Sequence, residues 1–462
     1  MNHVIIGGGP TGIYALDTIR KLDDSAAITL ISDEPAYSRM ALPYYLAREI
    51  PEEQLYLGNE RFFQEMRVEA LLGRRVTAID PRTKVVTLDD KSTVSFDTLL
   101  IATGSSPTRP QIPGVDGSRV TTLWTLEESR GALEKARGGA KVVLVGAGFI
   151  GFIVLNALYK IGCHLSVIEI EEQILPRMLD RPSASLVGRW LTEKGIAVYT
   201  GATVTEIGDL QDGRKAVRLS DGRSLTADLV IVATGIRANT DLAQGSGIQA
   251  QEGILVNDRL QTNFPFIYAG GDVAQGPDLS TGRQVIHAIQ PTAVDHGRVA
   301  GANMAGDSVR YPGSLIMNVL DVAGLYLSSF GLWQDDGREA TLLENPNRPI
   351  YRRLLWEGDR MVGAIFLGPA EDTAMLNDLG MVKGLIQTKA SLGAWKGHLQ
   401  KYPLDIRRPY IASRVAERLL TSTTLGRSST DLKFRYLGLK PETRPTEAHD
   451  VMISTRPDVE RV

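Results

Sequence analysis

Two sets of three glycines, each placed directly after a run of apolar residues, have the clearest chemical purpose in this sequence. They are Gly7, Gly9 and Gly12 in the first set and Gly146, Gly148 and Gly151 in the second. In a strand–turn–helix unit, one such glycine permits a tight turn, one lets the backbone approach a pyrophosphate, and one lets the helix pack against the strand. The spacing therefore predicts two sites that bind the phosphates of a dinucleotide.

An acidic residue follows the second glycine set at the spacing expected for contact with a sugar. Glu169 comes about twenty residues after the glycines, where a carboxylate can accept hydrogen bonds from a ribose 2′-hydroxyl. The Glu169 charge would repel a 2′-phosphate, and Glu171 and Glu172 follow instead of arginines. The second site is therefore predicted to take NAD rather than NADP. The alternative for Glu169 is a solvated strand end.

The residues around both sets predict the elements that hold them. HVIIGGGPTG (3–12) and KVVLVGAGFIG (141–151) each run from an apolar strand into a helix, and a second strand follows each helix. DTLLIATGSSP (97–107) and ADLVIVATGIRAN (227–239) each place a buried strand before Ala-Thr-Gly, so the two units form an internal repeat. The pattern predicts an α/β fold with two Rossmann-like dinucleotide-binding domains.

A third motif, FIYAGGDVAQ (266–275), runs a strand into Gly271 and Asp272. The Asp272 carboxylate could bond to a sugar-like hydroxyl, or it could cap the turn that follows. The residues by themselves leave both roles open.

Composition narrows the class of protein. A chain of 462 residues is too long for one ordinary core, and its net charge of −3 gives no reason to expect nucleic-acid binding. The first strand begins almost at once and no apolar run could cross a bilayer, so a cytoplasmic protein is expected. The single cysteine, Cys163, excludes an intrachain disulfide and a cysteine-built metal site, and the six histidines lack ligand spacing.

Together, these five motifs resemble the two-dinucleotide flavoproteins of the pyridine nucleotide–disulfide oxidoreductase group, over residues 1–405. The resemblance implies that the first glycine set binds FAD and the second binds the nicotinamide nucleotide. It implies that Asp272 contacts the ribitol and phosphate of FAD. The N-terminus of a helix with Pro291 at its first position would face the flavin pyrimidine ring, where its positive end stabilises reduced flavin.

The resemblance also assigns residues to each cofactor. Those expected at FAD are Gly7, Gly9, Pro10, Thr11, Gly12, Ser32, Asp33, Glu34, Arg39, Met40, Val76, Ala102, Thr103, Gly104, Gly271, Asp272, Gln290, Pro291 and Thr292. Those expected at NAD are Gly146, Gly148, Phe149, Ile150, Gly151, Glu169 and Gly235. Because hydride passes directly between nicotinamide and flavin, no catalytic side chain is expected. His287 is predicted to be a packing or surface residue rather than a proton donor.

Four domains or segments are expected. They are an FAD-binding domain (1–112 and 245–310), an NAD-binding domain (113–244), an α+β interface domain (311–405) and a C-terminal extension (406–462). RPYIASRVAERLL (408–420) is predicted to form an amphipathic helix with Ile411, Val415, Leu419 and Leu420 on one side. The rest of the extension is predicted to be loosely ordered or, alternatively, a docking arm for an acidic partner.

Some positions depart from the family pattern. Where relatives often place a glutamate for the adenosine ribose of FAD, this chain has Ser32, followed by Asp33 and Glu34, and which of them serves stays open. Ile153 stands where some relatives place an acidic group near the flavin, and Ala238 replaces a loop proline.

The departure with the largest chemical consequence lies in YSRMALPYYL (37–46). Coenzyme A disulfide reductases and NADH peroxidases have a redox cysteine close to the position of Met40, and the former share the LPYY that follows. A thioether cannot act as a thiolate nucleophile, and Cys163 is predicted to be a buried structural thiol. No disulfide- or peroxide-based turnover is therefore expected.

The flavin is then the only redox group that the sequence predicts. The chain looks most similar to NAD-reacting FAD subunits of multi-subunit oxidoreductases, such as the tungsten aldehyde oxidoreductase and phenylglyoxylate dehydrogenase systems, and to the NADH-binding region of nitrite reductases. The prediction is an FAD-dependent NAD(H):acceptor oxidoreductase with an iron–sulfur or tungsten/molybdenum subunit as partner, in a homodimer or a hetero-complex. The alternatives are a stand-alone NADH oxidase or quinone reductase, and a flavin-bearing redox sensor.

Overall fold

The computed structural model of the chain describes residues 1–334, 336–345, 347–418 and 425. Within these ranges, two five-stranded parallel sheets and one five-stranded antiparallel sheet carry the architecture, with smaller sheets attached to them. The predicted α/β fold with parallel, Rossmann-like sheets is confirmed. None of the helices in the described ranges is long and apolar enough to cross a bilayer.

The first parallel sheet has the strand that precedes Gly7 at its centre. The elements up to residue 107 are β1 (Asn2–Ile6), α1 (Pro10–Leu22), β2 (Ala27–Ser32), α2 (Leu42–Leu46), α3 (Glu60–Glu65), β3 (Val68–Leu72), β4 (Val76–Asp80), β5 (Val85–Leu88), β6 (Thr93–Ser95), β7 (Thr98–Ile101) and β8 (Ser105–Pro107). Val4, Ile5 and Leu100 are completely buried, because the sheet is covered on both faces. Pro10 occupies the first turn of α1, where its missing N–H has no helical partner to lose.

The second parallel sheet repeats the first. Its region contains β9 (Val120–Thr121), α4 (Leu126–Leu133), β10 (Lys141–Val145), α5 (Phe149–Lys160), β11 (His164–Ile168), α6 (Arg181–Glu193), β12 (Ala197–Tyr199), β13 (Val204–Asp209), β14 (Lys215–Leu219), β15 (Ser224–Ala227), β16 (Leu229–Val232) and β17 (Ile236–Ala238). β10 pairs with β11 and β16, as β1 pairs with β2 and β7. The Gly7 and Gly146 amides both donate 2.8 Å hydrogen bonds to the neighbouring strand, at the carbonyls of Ile31 and Ile168.

The chain then returns to the first sheet. This part contains β18 (Ile254–Leu255), β19 (Ile267–Ala269), β20 (Ala274–Pro277), β21 (Gln284–Val285) and α7 (Gln290–Met304). β19 adds to the edge of the first sheet beside β7, and α7 packs closely on α1. A Cβ at Gly297 or Gly301 would overlap the backbone of α1, so these two glycines are required by the close helix contact. The helix begins at Gln290, one residue before Pro291, the predicted first position.

The antiparallel sheet lies between the second unit and a layer of helices. Its elements are β22 (Met317–Val322), β23 (Leu325–Gly331), β24 (Glu339–Asn345), β25 (Ile350–Glu357), β26 (Arg360–Pro369), α8 (Thr373–Gln387), α9 (Ala394–Lys401) and α10 (Arg407–Ala412). Leu325 and Leu327 contribute to a core shared with α5 and α6, whereas Phe330 and Phe366 pack with α8 on the opposite face. The predicted domain boundaries remain a proposal.

The helix predicted over 408–420 is wrong as drawn from the sequence. α10 ends at Ala412, Arg414 takes a left-handed backbone (φ 51°), and a short 3-10 turn covers Val415–Glu417. Ile411 is 61% exposed and Val415 only 3% exposed, so they do not share a side. Burial of Val415 against Gly384 of α8 outweighs continuation of the helix. Leu419, Leu420 and the predicted arm beyond them lie outside the described residues.

Candidate functional site

The first and third glycines of each set are required by the protein itself. Gly7 and Gly146 have φ of 114° and 104°, and a Cβ on either would overlap the carbonyl oxygen of Ala102 or Ala233 on the neighbouring strand. A Cβ at Gly12 or Gly151 would overlap the carbonyl oxygen of the first glycine of its own set. These contacts hold each helix against its strand at the distance that the turn requires.

The middle glycines have a different explanation. A Cβ at Gly9 or Gly148 would meet no protein atom within 4 Å, and their φ values of −75° and −83° suit any residue. Each is the N-cap residue directly before its helix, where free backbone N–H groups and the positive helix end favour phosphate. The two turns therefore fit the pyrophosphates of FAD and NAD, whose close approach is what these glycines permit.

The carboxylate of Glu169 is held rigidly beside the second turn. Its Oε2 accepts a hydrogen bond from the amide of Ala147 (2.7 Å) and its Oε1 accepts one from the amide of Glu171 (3.0 Å). Glu169 is buried, so it is not the solvated strand end that was the alternative. The position suits a hydrogen bond to a ribose hydroxyl, and this role stays a prediction.

Ser32 takes the place in the first unit that Glu169 takes in the second. The Ser32 hydroxyl accepts a 3.2 Å hydrogen bond from the amide of Gly8, which corresponds to Ala147 in the repeat. Of the two acidic residues that follow, Asp33 forms a surface ion pair with Arg75. The next residue after Arg75 is Val76, which is buried and begins β4. The choice of a ribose partner among the three stays open.

Glu34 belongs to a cluster that joins the first unit to the second. Its Oε2 accepts from Arg39 (2.8 Å) and from the Tyr37 hydroxyl (2.9 Å). The Tyr37 oxygen in turn accepts from the amide of Leu126 in α4, and the Arg39 guanidinium lies 5.4 Å from the centre of the Trp124 ring. Burial raises the pKa of Tyr37 to about 12, so its hydroxyl remains a donor to Glu34.

Asp272 lies in the short 3-10 turn Gly271–Val273, facing the loop after the first Ala-Thr-Gly. Its Oδ2 accepts a 2.8 Å hydrogen bond from the Ser105 hydroxyl, and the Ser105 carbonyl accepts from the Trp124 indole N–H (2.9 Å). Burial raises the pKa of Asp272, while the Ser105 hydroxyl and the Arg39 charge act in the opposite direction. A carboxylate fixed in this way can bind a ligand hydroxyl through its other oxygen, so the structure fits the flavin ribitol.

The N-terminus of α7 is fixed by contacts with two other segments of the chain. The Gln290 side-chain oxygen accepts from the Ser38 hydroxyl (3.2 Å), and the Thr11 hydroxyl donates to the carbonyl of Ala293 (2.9 Å). Thr292 is buried, Pro291 is exposed, and both lie in the first turn. The free N–H groups of that turn suit partial negative charge on a bound ring.

His296 connects α7 to the Gly271 turn. Its Nδ1 accepts a 3.2 Å hydrogen bond from the amide of Gly271, and burial lowers its pKa to about 3. The imidazole is therefore neutral, with its proton on Nε2, which faces the Ser314 hydroxyl at 3.4 Å. His287 is buried, and its Nε2 forms a 2.9 Å hydrogen bond with the Asp278 carboxylate, beside the hairpin that leads into α7.

The two Ala-Thr-Gly turns lie against one another. The Ala102 amide donates to β1, the Thr103 hydroxyl and carbonyl bond to Asn239, and the Gly104 carbonyl accepts from the Asn239 amide (3.0 Å). In the other turn, the carbonyl of Gly235 accepts from the Thr108 amide (2.8 Å). The segments that follow the two turns thus connect them: Asn239 bonds to the predicted FAD residues Thr103 and Gly104, and Thr108 bonds to the predicted NAD residue Gly235.

Met40 and Cys163 lie in different parts of the molecule. Met40 is in the 3-10 turn Arg39–Ala41, is 40% exposed, and comes two residues after Ser38, which contacts α7. Cys163 is buried between α5 and β11 with its Sγ 3.5 Å from the Arg137 carbonyl, and burial raises its pKa to about 11. At neutral pH this thiol is protonated and enclosed, which is the structural role predicted for it.

Three residues of this region escaped the sequence reasoning. Ser105 lies within DTLLIATGSSP (97–107) and Ser38 within YSRMALPYYL (37–46), so both stretches carried a signal that could have identified them. Trp124 gave none, because its contact with Ser105 depends on how the second unit packs against the first. The remaining predicted residues, Phe149 and Ile150, form the half-buried first turn of α5.

Two glycine turns of this kind on two repeated parallel sheets, together with the Gly-Asp turn, define a flavoprotein that binds two dinucleotides. The model of the family "Pyridine nucleotide-disulphide oxidoreductase" matches residues 1–297, and the chain belongs to this family. The family binds FAD and NAD(H), and it comprises FAD-dependent NADH oxidoreductases.

The chain is similar to curated proteins along most of its length. It is 30% identical over 414 residues to the NADH-dependent phenylglyoxylate dehydrogenase subunit epsilon of Aromatoleum evansii, covering 88% of this chain and 96% of that protein. It is 29% identical over 380 residues to the assimilatory nitrate reductase electron transfer subunit of Bacillus subtilis, covering 81% of this chain but only 48% of that protein. Among solved structures, an NAD-dependent persulfide reductase from A. fulgidus is 31% identical with a TM-score of 0.78, covering 85% of this chain and 78% of that one.

Proposed function

We propose that the protein is the NAD-reacting FAD subunit of a larger oxidoreductase and passes electrons between NAD(H) and a one-electron partner, such as an iron–sulfur or tungsten/molybdenum subunit. The observation that carries this proposal is the placement of sulfur. Met40 lies where some relatives have a redox cysteine, and the one thiol of the chain is buried elsewhere with a raised pKa. Thiolate chemistry therefore has no group to perform it.

The likeness to the epsilon subunit of phenylglyoxylate dehydrogenase supports the subunit part of this proposal, because it extends over 96% of that protein. The Bacillus subtilis relative supports the electron-transfer part, although the chain spans about half of it.

The chain's own residues would bind, orient and shield the reactants. The turns at Gly9 and Gly148 would hold the two pyrophosphates, Asp272 the ribitol and Glu169 the ribose of NAD. FAD, when bound, would supply the redox chemistry, taking hydride from NADH and releasing electrons singly. Hydride transfer needs only alignment and exclusion of water, so no side chain has to move a proton for it.

The first experiment is an anaerobic titration of the FAD-loaded protein with NADH and, separately, NADPH, followed by flavin absorbance. We expect prompt bleaching by NADH and little by NADPH. The Glu169→Gln variant should lose about tenfold of its preference for NADH, since the charge that disfavours a 2′-phosphate is removed. Absence of bleaching with both nucleotides in the wild type would contradict the proposal.

A second measurement separates the proposal from its alternatives. NADH-dependent reduction of ferricyanide, an iron–sulfur protein, a quinone and oxygen is compared in the same preparation. Rapid turnover with the one-electron acceptors and slow turnover with oxygen are expected. Fast turnover with oxygen or quinone would indicate a self-contained oxidase or quinone reductase, and slow reoxidation by every acceptor would indicate a redox sensor.

A further inference from the structure

Three large apolar side chains are exposed within ten residues of one another, near the end of the described chain. Tyr402, Leu404 and Ile411 are 49%, 60% and 61% exposed, and they lie on α10 and on the turn that joins it to α9. We call these three residues the α9–α10 patch. A single exposed apolar side chain is ordinary, whereas a group of them marks a surface that another molecule covers.

The α9–α10 patch is part of a fixed scaffold rather than a loose end. Leu399 and Ile406 are completely buried under α8 and the antiparallel sheet. The carbonyl of Pro403, inside the patch, accepts a 3.1 Å hydrogen bond from Arg352, which also pairs with Asp378 at 2.7 Å in the interior. The exposed side chains are therefore presented by a backbone that is held in place from below.

Cationic side chains outnumber acidic ones in residues 401–418, which contain the patch. Lys401, Arg407, Arg408, Arg414 and Arg418 lie within this stretch, against two acidic residues, Asp405 and Glu417. Arg408 and Arg414 pair with these acids at the surface, whereas no acidic side chain in the described ranges pairs with Arg407. Arg407 lies one turn from Ile411 on α10, so charge and apolar surface are adjacent.

An apolar centre with a charged rim is the usual anatomy of a protein–protein interface. We propose that the α9–α10 patch docks an acidic redox protein or subunit. This inference rests on the proposed function, which requires such a partner. A second copy of the same patch would bring its cations against identical cations. The chain's own residues 426–462 contain seven basic and six acidic side chains, so they offer no acidic surplus.

The test measures binding of the full-length, FAD-loaded protein to an acidic 2[4Fe–4S] ferredoxin by microscale thermophoresis. Arg407→Glu and Ile411→Ser should each weaken binding about tenfold at low salt, and the effect of Arg407→Glu should shrink as salt screens the charge. Matched controls are Arg82→Glu, on an exposed turn, and Leu342→Ser, 56% exposed on β24. Both controls should bind as the wild type does.

Three results would overturn the proposal. They are no binding of the ferredoxin by the wild type, equal binding by the patch variants and the wild type, or the same loss in the controls. Loss of self-association in Ile411→Ser, measured by sedimentation velocity, would instead assign the patch to a second copy. NADH–ferricyanide activity is measured in parallel, so failure of the hydride reaction is distinguished from failure of docking.

Discussion

At the scale of single residues, the glycines of the two turns meet two different demands. Gly146 and Gly151 are needed because a side chain would collide with the backbone, whereas Gly148 faces no protein atom within 4 Å. The first demand concerns folding and the second concerns the ligand. Substitution of each glycine by alanine should therefore separate the effect on folding from the effect on ligand binding.

We expect Gly148→Ala to lower the free energy of unfolding by less than about 1 kcal/mol, because alanine accepts its φ of −83° at this helix start. The same variant should weaken NADH binding about tenfold, since the new methyl group occupies the path of the pyrophosphate. Gly146→Ala, in contrast, should cost about 3 kcal/mol of folding stability. Urea unfolding and NADH titration of the flavin absorbance measure the two effects.

Unchanged NADH affinity in Gly148→Ala would show that this glycine does not belong to the nucleotide site.

Ser32 and Glu169 show how far the positions of single residues could be predicted from the sequence. The repeat located both positions, because strand, turn and helix are local in sequence. The repeat could not predict that the Ser32 hydroxyl accepts a hydrogen bond from the Gly8 amide, because that bond depends on the distance across the folded turn.

At the scale of elements, the link between the two units passes through the segment before α4. Trp124 donates to the Ser105 carbonyl, and the Ser105 hydroxyl donates to Asp272, 167 positions further along the chain. The position of the second unit is therefore coupled to the carboxylate proposed to bind the flavin ribitol. Strands and helices on both sides of this link could be predicted from periodicity, but the link itself could not.

Trp124→Phe keeps the ring and removes the indole N–H. We expect FAD affinity to fall about fivefold, because one hydrogen bond that orients Ser105 is worth about 1 kcal/mol. Trp190→Phe is the matched control. Its indole N–H also joins the second unit to another part of the chain, at the carbonyls of Val322 and Ala323 (both 3.2 Å) rather than at Ser105.

The measurement is rebinding of FAD to apoprotein, followed by flavin fluorescence, alongside urea unfolding of each apoprotein. Trp190→Phe should lose stability and keep its FAD affinity. Equal FAD affinities in the two variants would show that Trp124 has a structural role only.

At the end of the described chain, periodicity failed to predict the element itself. Apolar spacing predicted one helix across Ile411 and Val415, yet the left-handed Arg414 divides the segment. Helical periodicity reflects the local preference of a segment for helix. Val415 instead packs in a core together with residues of α8. A contact of that kind has no signature in the residues around it.

At the scale of the whole molecule, buried histidines make stability depend on pH. Burial lowers the pKa of His296 to about 3, and the charge of the nearby His287 acts in the same direction. Between that value and the ordinary histidine pKa of 6.5, the unfolded chain binds a proton that the folded chain does not. The free energy of unfolding therefore falls as pH decreases through this window.

From pH 6.5 to pH 5.5, His296 should account for a loss of about 1 kcal/mol, which His296→Phe would not show. The variant also loses the acceptor for the Gly271 amide, but that cost is independent of pH. His164→Gln changes an exposed histidine and should retain the wild-type slope. Urea unfolding at the two pH values tests this, and equal slopes in His296→Phe and the wild type would contradict it.

Carboxylates change the free energy of unfolding at lower pH than the histidines do. Hydrogen bonds from Arg130, Tyr56 and Tyr45 lower the pKa of Glu52 to about 2. Its contribution is present above the ordinary glutamate pKa and is lost as pH falls towards 2, outside the window of the histidine test.

The enclosure of Cys163 has a practical consequence for spectroscopy. Most proteins must first be stripped of native cysteines before a probe can be attached at one chosen point. Here the only native thiol is buried and its pKa is raised to about 11, so maleimide reagents should not react with it at neutral pH. A cysteine introduced at an exposed position such as Leu342 would then carry a spin label, a fluorophore or an electrode tether in the otherwise native chain.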